Sequence, residues 1–244
     1  MEYFFETSDT IGTGLGFSHY DRTHLGWLAF FVVFVAVACL LYRRLTDEKK
    51  RCLFRRVFAA LIVADELFKI VMLTAGGNYD VSYLPLHLCS INIFLIAAHA
   101  AKPNPMLANF LYTIDLPGAL LALLFPSWTK LPFLNFMHIH SFTVHILLAT
   151  YPILLLDSGE LRPNHRYIPR CMLLLLCMAI PVYGFNCVFD TNFMFLMYAS
   201  KNNPLYVFEK LFGSHLVGFL VLIPAVLLVM FLPIGIYRKL RKKA

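Results

Sequence analysis

Several residues in this chain have the types and spacing that chemistry requires. Leu84-Pro85-Leu86-His87-Leu88-Cys89-Ser90 sets a thiol two positions after an imidazole inside an apolar stretch. A second apolar stretch carries His138, His140 and His145, and a third carries Asp115. A fourth ends at Asn186, with Asp190 and Asn192 just beyond, and a fifth holds Asp65, Glu66 and Lys69. A thiol becomes a nucleophile only as the thiolate, and a nearby histidine can take its proton and later return it to a leaving group. Asn or Asp can orient that imidazole. Cys89 is therefore the candidate nucleophile, with His138, His140 and His145 as candidate bases.

The elements that must position these groups follow from composition. Of 244 residues, 59% are hydrophobic and 14% charged, whereas a soluble domain is about 25% charged. The apolar residues fall into blocks near the ~20 residues that cross a bilayer as a helix. These blocks are apolar all round, which disfavours the alternating strands of a β-barrel. We read an all-α polytopic helix bundle with about seven spans, roughly 24–42, 54–75, 83–101, 106–125, 134–156, 168–188 and 215–237. An N-terminal segment, residues 1–23, precedes the transmembrane domain of residues 24–237, and a basic tail, 238–244, follows it. Breaks fall at Arg43 to Arg51, at Gly76-Gly77-Asn78 and at Lys102-Pro103-Asn104-Pro105, all turn or breaker chemistry. The stretch 189–214 is expected to lie at the interface or to cap the bundle.

Sidedness follows from Lys and Arg. Sixteen flank one side: Arg43, Arg44, Lys49, Lys50, Arg51, Arg55, Arg56, Lys102, Arg162, Arg166, Arg170 and the five of the tail. Four flank the other: Arg22, Lys130, Lys201 and Lys210. This predicts a cytoplasmic C-terminus and an outside N-terminus. The net charge of +7 then marks topology and contact with anionic lipid rather than nucleic-acid binding. The six cysteines fit neither a disulfide framework nor a metal knuckle. The first 22 residues lack a basic n-region, so no cleavable signal peptide is expected.

Taken singly, each polar residue has an ordinary role. Membrane cysteines are often inert packing groups, and intramembrane histidines bond neighbouring helices. Asp65, Glu66 and Lys69 are spaced to pair within one helix, and Asp115 suits either bundle glue or a proton relay. Their depth argues for more. With Cys89 roughly 10 Å below the outer boundary at 1.5 Å rise per residue, His138 lies at a similar depth and His145 deeper. The polar set gathers in the outer half of the bundle.

Leu84-Pro85-Leu86-His87-Leu88-Cys89 resembles the signature of the bacterial YwaF membrane proteins and of their relatives, the transmembrane protein 164 acyltransferases. The likeness continues through Gly118 to Pro126, through His145-Ile146-Leu147-Leu148-Ala149-Thr150-Tyr151, and through Phe185-Asn186 and Thr191-Asn192-Phe193-Met194. The animal member is regarded as a cysteine-dependent enzyme that moves an acyl chain onto a lysophospholipid. The resemblance implies Cys89 as nucleophile and His145 as base, with His138 and His140 as further candidates.

On this reading Asn186 or Asn192 donates to the oxyanion, and His87, His140, Asp115 and Asn192 contact substrate. The partners are membrane lipids, phospholipid or lysophospholipid, with no nucleic acid and no cofactor. The short loops and lean tail suggest a bacterial plasma membrane. Two other readings stay open. His87, His138, His140, His145 and Asp115 could supply three ligands to a hydrolytic zinc, although no tight metal motif is present. Asp65, Glu66, Lys69 and Asp115 could instead line a transporter's ion path.

Overall fold

The structure is a computed structural model that describes residues 3–199 and 203–241, with side chains described as far as residue 232. Lys201, Lys242 and Lys243, counted above for sidedness, lie outside the described residues, as do the side chains of Arg238, Lys239 and Arg241. Among the described residues all regular structure is helical.

Helix α1 (Arg22–Arg43) starts on Asp21, whose carboxylate accepts the His24 amide N–H at 2.9 Å. That bond, joined by one from Ser18, holds the Asp21 carboxyl below the usual carboxylate range. Helix α2 (Glu48–Ala75) has two faces. Leu53, Val57, Leu61, Leu67 and Val71 are exposed, whereas Phe58, Ile62, Glu66, Lys69 and Leu73 are buried. Along this part of α2 an apolar stripe faces outward while Arg55, Glu66 and Lys69 face inward, the reverse of a surface helix in water.

Helix α3 (Leu88–Ala101) is shorter than the expected 83–101. Pro85 is the reason. It disfavours the α region for the residue before it, and Leu84 is extended at φ −56°, ψ 148°. The chain enters the helix at His87 instead.

Helix α4 (Pro105–Phe110) runs through a π-helical turn, Leu111–Asp115, into α5 (Leu116–Leu124). Pro117 has no amide proton to offer the Thr113 carbonyl, and its ring would crowd that carbonyl in a regular helix. The chain widens there, and the Leu116 N–H bonds back to the Leu111 carbonyl. Such π turns are frequent at functional sites. Helix α6 (Phe136–Asp157) is the central column, packed against α1, α2, α3 and α5. Helices α7 (Ile168–Phe189), α8 (Pro204–Phe212) and α9 (His215–Arg241) complete the set. Helix α9 continues without a break across the expected boundary at 237.

Among the described residues, five helical segments are long and apolar enough to cross a membrane: Arg22–Arg43, Pro105–Leu124, Phe136–Asp157, His165–Phe189 and His215–Leu232. The two other predicted spans coincide with α2, which carries inward-facing charges, and α3, which has 14 residues.

The two ends of the bundle differ. At one end the α1–α2 turn meets the α6–α7 loop through an ionic network. Arg55 bonds Glu160 at 2.8 Å, Glu48 at 2.8 Å and the Tyr42 hydroxyl at 2.9 Å, and Arg43 pairs with Asp157. At the other end the N-terminal segment folds over α6. The Asn135 amide donates to the carbonyls of Tyr3 and Glu6 at 2.9 and 2.7 Å. Gly16 passes so close to Thr129 that a Cβ would lie 1.9 Å from that carbonyl oxygen.

Candidate active site

Cys89 is the second residue of α3, at its N-terminal end. His87 occupies the N-cap position without making a side-chain cap. The first amide N–H groups of the helix are therefore left without a side-chain acceptor. Cys89 thus lies at the positive end of the α3 dipole.

The His87 ring is held from above by the segment after α7. Its Nδ1 accepts the Met194 amide N–H at 3.3 Å, and the ring lies edge-on to Phe193 at 5.0 Å. A neutral imidazole that accepts at Nδ1 carries its proton on Nε2, so His87 can donate from Nε2. His145 has the opposite arrangement. Its Nδ1 donates to the Ser141 carbonyl one turn back at 2.6 Å, and its ring stacks on Trp128 at 5.4 Å. Its Nε2 therefore carries the lone pair.

Both rings and Cys89 line one cavity of about 250 Å³. Asn92 and Asp115 also face it, with Leu121, Ala122 and Phe125 as an apolar wall and Phe219 and Leu222 of α9 opposite. Among the described residues no hydrogen bond joins Sγ of Cys89 to either ring. Cys89 and His145 share a chamber, and in unliganded sites the hydrogen bonds between such groups are often long or unmade.

Asn92 was not singled out in the sequence, although it is three residues after Cys89 and so near it on one helix face. Its Nδ2 donates to Asp115 Oδ1 at 2.9 Å. Both side chains are at least 98% buried, and Oδ1 of Asn92 and Oδ2 of Asp115 have no partner among the described residues. Each such group costs about 1–3 kcal/mol. The π turn is what carries Asp115 to this position.

Other expected site residues lie elsewhere. His138 accepts the Trp27 indole N–H at Nε2 (2.9 Å) and donates from Nδ1 to the Leu131 carbonyl (3.0 Å). Both nitrogens are occupied, it lies outside the cavity lining, and it joins α1 to α6. His140 lies 3.4 Å from Asp65 and 3.7 Å from Glu66, also outside the lining. Glu66 and Lys69 pair as their spacing predicts, but Asp65 turns instead to the Thr143 hydroxyl at 3.0 Å.

Asn186 and Asn192 do not face the cavity either. Asn186 donates to the Phe193 carbonyl at 3.0 Å and accepts from the Phe193 amide and the Thr191 hydroxyl. Asn192 accepts the Met197 amide and donates to the Tyr198 carbonyl. These bonds hold Met194 and Phe195 at φ 58° and 54°, a left-handed conformation that costs roughly 1–2 kcal/mol per L-residue. The strained pair forms one wall of the cavity. Both asparagines thus shape the chamber from behind.

The side chains that the alternative zinc reading would need do not converge. Among the described residues no three His, Cys, Asp or Glu side chains come together in a way that would hold a metal.

Residues 16–234 match the model of the TMEM164 family, a stretch that contains the cavity lining. No curated protein and no solved structure matches the chain. With most of its length matched and its apolar helices described above, the chain is an integral, multi-pass membrane protein that belongs to the TMEM164 family.

Proposed function

We propose that this protein is an intramembrane lipid acyltransferase or acyl-ester hydrolase that works through a thioester on Cys89. The observation that carries the reading is the shared chamber of Cys89, at a helix N-terminus, and His145, whose basic Nε2 is set by the Ser141 bond.

His145 Nε2 takes the Sγ proton, and the thiolate attacks the carbonyl carbon of a lipid ester. The oxyanion is met by the first amides of α3 and by the Nε2–H of His87. As the C–O bond breaks, the proton passes from His145 to the departing glycerol oxygen, leaving a thioester and a lysolipid. A second hydroxyl then accepts the acyl group and frees Cys89. The apolar wall of Leu121, Ala122 and Phe125 suits an acyl chain entering from the bilayer.

This reading includes seven spans, with the chamber in the extracytoplasmic half. The outward apolar stripe of α2 fits a lipid-facing helix. Helix α3 rises only about 21 Å, so the extended segment before it would complete the crossing. The Lys- and Arg-rich loops belong at the cytoplasmic end, in an orientation that fits a bacterial plasma membrane.

The test is acyl exchange between phospholipid and lysophospholipid by the purified full chain in liposomes. Loss of exchange in folded Cys89→Ala protein supports the reading. Undiminished exchange removes it.

A further inference from the structure

The cavity holds an acceptor pair that the thioester scheme above leaves unused. Oδ1 of Asn92 and Oδ2 of Asp115 are buried, unpartnered and carried by side chains that line the same chamber as Cys89. Two acceptor oxygens left open in a buried site are complementary to a hydroxyl donor. The pair is also built rather than incidental. Asn92 is fixed to Asp115 at 2.9 Å, and the π turn before Pro117 displaces Asp115 from a regular helix.

We infer that Asn92 and Asp115 form the subsite for the hydroxyl that receives the acyl group, with Asp115 as its proton acceptor. This rests on the thioester reading and assigns its second half. The ligand class is a neutral O–H nucleophile, supplied by water or by a lysolipid glycerol. Its oxygen attacks the thioester carbonyl carbon while its proton passes to the open oxygen of Asp115. The C–S bond breaks, Sγ leaves as thiolate, and Asp115 returns the proton to it. His145 serves the formation of the thioester and Asp115 its discharge.

The experiment follows the acyl adduct on Cys89 by intact-protein mass spectrometry in the full chain, given a diacyl phospholipid. Release is read in two arms, ¹⁸O from labelled water in the free fatty acid and transfer to added lysophospholipid. In Asp115→Ala the adduct that forms on Cys89 should discharge about 100-fold more slowly. Slowing in one arm alone assigns the subsite to that acceptor.

The double variant Asn92→Leu with Asp115→Val guards against loss of fold, because replacing both partners with apolar groups of similar shape avoids orphaning either. It should trap the adduct likewise. Discharge at the unaltered rate to both acceptors, in either folded variant, overturns the subsite alone. Absence of any adduct on Cys89 in the unaltered chain overturns the thioester reading and this inference with it.

Discussion

The two imidazoles that line the cavity, His87 and His145, carry their ring protons on opposite nitrogens. Nδ1 of His87 accepts the Met194 amide N–H, and Nδ1 of His145 donates to the Ser141 carbonyl. One ring therefore offers a donor beside Cys89 and the other a lone pair. What separates His145 from His138 is its place in the cavity lining, because the Nε2 of His138 is taken by the Trp27 indole N–H.

Replacing His145 with Ala is expected to lower acyl exchange by about 10²–10⁴-fold with little change in thermal stability. His138→Leu should do the reverse. It orphans the Trp27 indole N–H and the Leu131 carbonyl, costing about 1–3 kcal/mol for a buried group, while exchange per folded molecule persists. Thermal unfolding in detergent alongside exchange assays separates the two. Loss of exchange in well-folded His138→Leu would move the base to that residue.

Asn186→Ala should loosen the segment that covers the cavity, since it leaves the Phe193 amide and carbonyl without their partner. Hydrogen exchange at residues 191–196 is predicted to speed up far more than at α6. Unchanged protection there would show that the bends at Met194 and Phe195 are held by something else.

Gly118 lines the cavity, and a Cβ built on it meets nothing within 4 Å. Gly118→Leu is therefore expected to fold and to narrow the apolar wall. The chain-length distribution of transferred acyl groups should move to shorter chains in a competition assay. An unchanged distribution would place the acyl chain elsewhere.

Helices α8 and α9 are joined by Glu209 and His215, with Nδ1 of His215 2.9 Å from the carboxylate and its Nε2 bonded to the Phe195 carbonyl. The hydrogen bond from His215 holds the Glu209 carboxyl below its ordinary value of 4.5. A depressed carboxyl contributes stability that is present above its unfolded value and is lost as pH falls through the folded value. Protection of the α8–α9 turn should hold at neutral pH and weaken in acid below that ordinary value. Glu209→Gln should flatten this acid dependence. If the acid response is the same in both proteins, the pair does not secure the turn.

How much of this was legible depends on what each residue bonds. The long apolar blocks show themselves because lipid-facing helices need no polar side, and α1, α6 and α7 fall where the blocks do. The start of α3 lies later than hydropathy places it, because hydropathy ignores Pro85, which holds Leu84 extended. The π turn was hidden, since Pro117 alone does not distinguish a kink from a widened turn. Cys89, His87, His145 and Asp115 stand out as polar groups in apolar stretches, and all four line one cavity. Asn186, Asn192 and His138 stood out equally, yet they bind backbone or indole groups that only the folded chain brings near. Asn92 shows in the sequence only as a polar residue one turn from Cys89, and its bond to Asp115 exists only in the fold.

The mass of Cys89-containing peptide after incubation of the full chain with a diacyl phospholipid tests the central claim most directly. A single added acyl chain is expected on Cys89, stabilised in Asp115→Ala and absent in His145→Ala. Acyl exchange that proceeds with Cys89 unmodified, or continues in folded Cys89→Ala protein, would contradict it.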